Sequence, residues 1–456
     1  MALEYFYTFT LPLFDISEPS LLWQCLRRDA SATQPLCYIA AALGHEHMHR
    51  GGRQQGSYSE TSCRLNGRAL RSVQKSLDTQ SPADVAAAAI SSLLMAILQG
   101  LRGRHAEMLI HLRCGSNIAK QGITNHTWTA QPELNEALRL LRKYCVHSIL
   151  FDSIGIEADK TAAATANEAA VVKDLQTNWE QDEAVMVSEL DALIEELLHL
   201  MRSFRTAQHD ASGSTITVHP HERLRYCRSQ SLVESTVSKL TAKQASLEFA
   251  LEKRRSENLH ATKATSVLSE FALLQCLLAR VYLRCCCSSN QNSFHDEVPT
   301  FRRILDLERH SLTQLRSLQQ PLCTLPFSLG LGAIGCLVSV VRLCPLNQMR
   351  HEAIQMLSLC PSTEGLWSVD LARRLCSAIV TFEEQLAVES GGSAATPQHS
   401  IPRHCRVYHH SFGVLSEAGF ARVRFFQSRA GMESLAYEEV SLSRASNGDC
   451  LPPRVT

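Results

Sequence analysis

Neither sign of charge is in excess: 45 lysine and arginine side chains are matched by 45 aspartates and glutamates over 456 residues. A surface built to neutralise many phosphates needs a basic surplus, so a broad nucleic-acid footprint is excluded and any such contact is local or made by a partner. The basic start and small-residue cleavage site of an export signal are lacking; Met1 is followed by aromatic and apolar residues with Glu4. The 17 cysteines show neither regular spacing nor the C-x-x-C turn of zinc sites. Reduced thiols, most of them small core residues, are the expectation. Cys285-Cys286-Cys287 point to different sides of a helix, and Cys336, Cys344, Cys360 and Cys376 are too dispersed to act as ligands. No repeat of fixed period occurs, and alternating β-branched stretches are few.

What is present is helix. With 45% hydrophobic and 20% charged residues the chain buries a sizeable core. Leucine and alanine recur at helical steps, predicting an all-α fold of packed antiparallel helices over 1–390. Arg50 to Ser59, with Gly51, Gly52 and Gly56, reads as a loop. A long amphipathic helix is expected over Trp179 to Phe204, with Val187, Leu190, Ile194, Leu197 and Met201 on one face. A polar linker follows over 207–220, then helix from about Ser231 through Leu283. A second linker spans 391–400. Arg406 to Val414 and Phe420 to Phe426 alternate as strands around Glu417 to Gly419, so a β-hairpin is expected within 401–430, with 431–456 as a tail.

Between Arg316 and Arg342 there is no charge, and 324–341 is nearly all apolar or small. That length suffices for a membrane helix, which needs about 20 such residues. Pro321, Pro326 and three glycines argue instead for a buried core helix, and no second membrane candidate is read elsewhere.

Four motifs carry chemistry in principle. His45-Glu46-His47-Met48-His49 is a literal H-E-x-x-H: on a helix His45 and His49 share a face and are the candidate zinc ligands, with Glu46 as base. The third ligand position holds Gln55, so the alternative is a histidine-rich helix end. Gly330-Leu331-Gly332-Ala333-Ile334-Gly335 matches the G-x-G-x-x-G of dinucleotide sites, here without a flanking strand-helix-strand unit, and reads as close helix packing. Lys253-Arg254-Arg255 and Arg139 to Lys143 are the densest basic groups, each read as a solvated helix face. No catalytic, cofactor-binding or DNA-binding residue is assigned.

The fourth motif is the most specific. Arg350-His351-Glu352-Ala353-Ile354-Gln355-Met356-Leu357 leads into Cys360-Pro361-Ser362-Thr363-Glu364-Gly365-Leu366-Trp367 and a second helix ending Thr381-Phe382-Glu383-Glu384. The string resembles the "R-R-x-A-I-x-L-L … P-R-R-E-G-L-W … E-E" signature in the regulatory domain of fungal zinc-cluster transcription factors. Ala2 to Thr10 is similar to that domain's entry. Leu70 to Leu77 and Ala83 to His111 resemble its core, with Gly100, Gly103, Ala106, His111, Leu112 and Gly115 at matching steps. Ile401-Pro402, Cys405-Arg406-Val407 and Ala421 to Phe425 resemble its close. The resemblance implies a nuclear transcription regulator of a fungal metabolic or secondary-metabolite gene cluster, not an enzyme. It implies protein partners, a small hydrophobic effector held near Ala86 to Leu98 or Leu325 to Val341, and allows a homodimer; a zinc peptidase and a membrane-associated helical protein are the alternatives. The family's six-cysteine DNA-binding module has no counterpart here, since Cys25, Cys37 and Cys63 are widely separated. Action through partners, or an upstream exon supplying the module, are the two expectations.

Overall fold

The computed structural model describes residues 1–11, 22, 26, 33–51, 60–79, 81–102, 104–124, 136–141, 144, 189–190, 192–194, 196–197, 220–257, 263–286, 293–318, 327–328, 333–360, 363–364, 367–390, 401–402, 405–415, 421–428 and 435–442. The fold is all-α, with two small three-stranded sheets. The chain divides into two compact units, 1–151 with 313–332 and 360–369, and 152–312 with 333–359 and 370–456.

In the first unit α1 (Ala2–Tyr5) runs into a π-helical turn at Phe6–Thr10, and α2 (Gln34–Gly51), α3 (Glu60–Thr79), α4 (Pro82–Leu101) and α5 (His105–Thr124) follow. The N-terminus of α4 is set by its sequence. Ser81 Oγ accepts from the Asp84 amide at 3.2 Å and donates to the Asp84 carboxylate at 2.6 Å, and Pro82 occupies the first turn, where a missing N–H costs nothing. From Val85 to Leu98 every residue of α4 is buried, Ser91 and Ser92 included, so this helix is enclosed all round and packs against α2, α3 and α5. By contrast α3 buries one stripe, Ser62, Asn66, Ala69 and Val73, at three- and four-residue steps.

Two glycines let backbones meet. A Cβ on Gly44 of α2 would lie 2.1 Å from the Ala2 carbonyl oxygen, so α1 rests directly on the α2 backbone. A Cβ on Gly115 of α5 would lie 2.8 Å from Ser92 Cβ and 2.9 Å from Leu141 Cδ2. A small sheet completes this unit: β1 (Phe327–Ser328) pairs in parallel with β2 (Thr363–Glu364), which pairs antiparallel with β3 (Trp367–Ser368).

The second unit holds α6 (Pro220–Glu257), α7 (Lys263–Val281) with a π-helical turn at Tyr282–Cys286, α8 (Ser293–Asp296), α9 (Val298–Leu318) as far as Leu312, α10 (Ala333–Leu343), α11 (Asn347–Leu357) and α12 (Val369–Glu389) from Asp370. Leu240, Gln244, Leu247 and Leu251 of α6 repeat at steps of four, three and four and are buried where α6 packs on α7. Within that seam Gln244 Nε2 donates to the Cys276 carbonyl at 3.4 Å, and Cys276 Sγ donates to the Gln244 carbonyl at 3.5 Å.

Several expectations change. The helix read from Ser231 to Leu283 is two helices, and the first begins at Pro220, inside the expected linker; residues 207–219 lie outside the described set. Proline pre-sets the first helical turn, which is why polar residues after it still enter a helix. The expected loop 50–59 loses its first two residues to α2, and 52–59 lie outside the described residues. Of Trp179 to Phe204, only positions within 189–197 are described; they are helical, and Leu190, Ile194 and Leu197 are buried.

The run 324–341 is no single helix, because β1 interrupts it and α10 begins only at Ala333. Among the described residues the helix long and apolar enough to cross a membrane is instead Ala83–Leu101, and 94% of that stretch is buried in the protein. The hairpin expected within 401–430 is extended by a third strand. The closing segment is an antiparallel meander, β4 (Val407–Leu415), β5 (Ala421–Ser428) and β6 (Leu435–Leu442), so part of the expected tail is a strand. Pairing runs along the whole of β5, from Ala421 opposite Leu442 to Ser428 opposite Leu435, and satisfies an edge that a hairpin would leave open.

Candidate functional site

The histidine-rich end of α2 is held by an ion pair rather than opened to a metal. Glu46 is fully buried, and its Oε2 lies 3.2 Å from Nε of Arg102, itself buried at the end of α4. Arg102 Nη2 donates to Ser62 Oγ at 2.8 Å, and Ser62 Oγ donates to the Ala42 carbonyl at 3.0 Å. Arg102 therefore links α2, α3 and α4 through one guanidinium. A carboxylate committed to a buried guanidinium is not placed to activate a metal-bound water. His45 and His49 are half-buried on the same helix, and no group of three or more histidine, cysteine or acidic side chains suited to a metal occurs among the described residues.

His47 points elsewhere. Its Nδ1 hydrogen-bonds Thr10 Oγ1 at 2.9 Å, and the Tyr5 ring meets it edge-on at 5.4 Å between centroids. Burial pushes its pKa down to about 4, so the imidazole is neutral at physiological pH.

The second constellation assembles the specific motif. Arg350 of α11 and Glu383 of α12 are both wholly buried and 2.6 Å apart, Nη2 to Oε2. Arg350 Nε donates to the Val341 carbonyl at 2.7 Å and Nη1 to Asn347 Oδ1 at 3.3 Å. On the other side Glu383 Oε1 accepts from the Val407 amide at 2.6 Å, while Arg406 approaches Oε2 at 3.7 Å and donates to the Arg342 carbonyl at 2.6 Å. Two guanidinium groups thus serve the orphan carbonyls at the end of α10, where positive charge is also favoured by the helix dipole. Next to this node Ala387, Ile401 and Cys405 form an apolar cluster with Leu386. His351 Nε2 and Asn347 Nδ2 both meet Glu384 Oε1, at 3.0 and 3.2 Å.

Three pieces of the written pattern, beginning at Arg350, ending at Glu383-Glu384 and closing at Ile401 to Val407, therefore meet in one place. No family model, curated protein or solved structure matches this chain. The buried node stands on its own geometry.

Of the G-x-G-x-x-G string, Ala333, Ile334 and Gly335 open α10 and are buried, and Gly330 to Gly332 lie outside the described residues. A strand, β1, precedes it but has two residues, and α11 follows α10 rather than a strand. Buried thiols are unreactive: desolvation pushes Cys276 and Cys376 up to about 12 and Cys344 up to about 11. Cys285 and Cys286 end the π-helical turn after α7, and Cys287 lies outside the described residues, as do Arg142 and Lys143 of the second basic group and the side chain of Trp367. Sequence reasoning missed Arg102, Ser62 and Asn347, whose partners lie far along the chain. It also missed Glu270, a buried carboxylate in contact with His310 and Ser311.

Proposed function

We propose that this chain is the helical regulatory domain of a transcription regulator of the fungal zinc-cluster type, acting in the nucleus through protein partners on a metabolic or secondary-metabolite gene set. The observation that carries the reading is the convergence at the Arg350–Glu383 pair, where residues from separate parts of the family-like pattern, Arg350, Glu383, Arg406 and Val407, share one buried network. A chance likeness of degenerate strings has no reason to place their charged members together. The reading assigns this network a scaffolding role, and leaves partner and effector contacts to surfaces elsewhere.

The test is deletion of the gene with transcript profiling, alongside localisation of the tagged full chain. A defined gene set should change and the protein should be nuclear. An unchanged transcriptome with exclusion from the nucleus would sink the proposal.

A further inference from the structure

The basic run Lys253-Arg254-Arg255 ends in Ser256, and we propose that Ser256 is a phosphorylation site for a protein kinase that reads upstream cations. This holds whether or not the chain regulates transcription. Ser256 is exposed in the last turn of α6, which closes at Glu257. Among the described residues its hydroxyl bonds locally, donating to the Lys253 carbonyl at 2.6 Å. Kinases bind substrates extended, so a helical serine must be unwound first; the terminal turn is where unwinding costs least. Lys253 is exposed and Arg254 and Arg255 are half-buried, so once the turn unwinds the three consecutive cations offer charge complementarity to a kinase groove lined with carboxylates. A solvated basic face explains the cations alone but gives no reason for an exposed hydroxyl to follow them directly.

In the transfer, Ser256 Oγ attacks the γ-phosphorus of ATP. The Oγ–P bond forms as the bond to the bridging oxygen of the departing ADP breaks, and the hydroxyl proton passes to the kinase's carboxylate base. The product has a defined structural effect. Arg255, half-exposed one residue before Ser256, lies 3.7 Å from Glu270 Oε1. Glu270 is buried and is also met by His310 Nδ1 and Ser311 Oγ, both at 2.7 Å. A phosphate dianion beside Arg255 competes with Glu270 for the guanidinium, and at a helix C-terminus one turn after Glu252 it opposes the helix dipole and that carboxylate. Both effects act in the same direction: the end of α6 separates from α7.

The experiment uses the purified full chain, Mg-ATP and a kinase selective for serines preceded by arginine and lysine, with peptide mapping by mass spectrometry. One phosphate is expected on Ser256, absent in S256A, with incorporation about tenfold slower in K253Q/R254Q, whose fold is checked by circular dichroism. Amide exchange near the end of α6 should accelerate on phosphorylation, and in R255Q that acceleration should shrink because the bridge to Glu270 is already gone. Phosphate found only on other serines, or transfer to Ser256 at an unchanged rate in K253Q/R254Q, would overturn the assignment.

Discussion

The Arg350 guanidinium lies 2.6 Å from the Glu383 carboxylate with both side chains wholly shielded from water. Desolvating two charges is repaid only when each keeps its partners, so removing one leaves the other stranded. Arg350→Met and Glu383→Met should each destabilise the protein by about 3–5 kcal/mol. The joint replacement R350M/E383M should cost clearly less than the sum. Urea unfolding of the four proteins decides it, and strict additivity would show that the two groups are not coupled.

The Glu46–Arg102 pair separates a structural reading of the histidine helix from a metal one. Glu46→Gln should lower stability by about 3 kcal/mol, because the buried Arg102 guanidinium then loses the carboxylate that faces it. Equimolar zinc should leave the wild-type unfolding midpoint where it is. A zinc-dependent rise lost in His49→Ala would reverse this and restore the peptidase reading.

His47 makes stability sensitive to acid. Its folded pKa is about 4, below the unfolded value of about 6.5. The unfolded chain therefore binds the proton first as pH falls, and the contribution present above pH 6.5 is lost progressively below it. Between pH 7.5 and pH 5 the loss from this group is about 2 kcal/mol. Denaturation of wild type and His47→Asn at both pH values should show a shallower fall in the variant; parallel falls would rule out His47 as the cause.

Gly44 and Gly115 should differ in tolerance. The Gly44 Cβ would collide with a backbone oxygen, which cannot move without displacing α1, whereas Gly115 faces side-chain carbons of Ser92 and Leu141. Gly44→Ala should cost about 1–3 kcal/mol and expose residues 1–11 to protease. Gly115→Ala should melt closer to wild type, and equal cleavage of both variants near the N-terminus would contradict the direct contact of α1 with α2.

The helical class was legible from the sequence because leucine and alanine spacing records which face each helix buries. Individual residues of the node were legible too: Arg350, Glu383, Arg406 and Val407 all stand in recognisable strings. Their meeting was not, since pairing across an intervening helix and linker leaves no trace in local spacing. His45 to His49 misled for a related reason. The string specifies a helix face, while the fate of Glu46 depends on Arg102, a charge placed just beyond an apolar run. Pro220 is a local signal for the start of α6, since its fixed φ suits a first helical turn even where polar residues follow. In the closing segment, Leu435 to Leu442 lacks clean alternation, and the partner strand supplies the order that its own pattern does not.

The first unit draws on three separate stretches of chain, 1–151, 313–332 and 360–369. A ribosome delivers its helical part early and the strands of its small sheet, β1 to β3, only after α6 to α9 have emerged. Completion of that unit during synthesis must therefore wait for its neighbour's segments to pass through. A truncation that ends before Ser368 leaves the first unit with its sheet incomplete, and neither unit can be cut free at a single point.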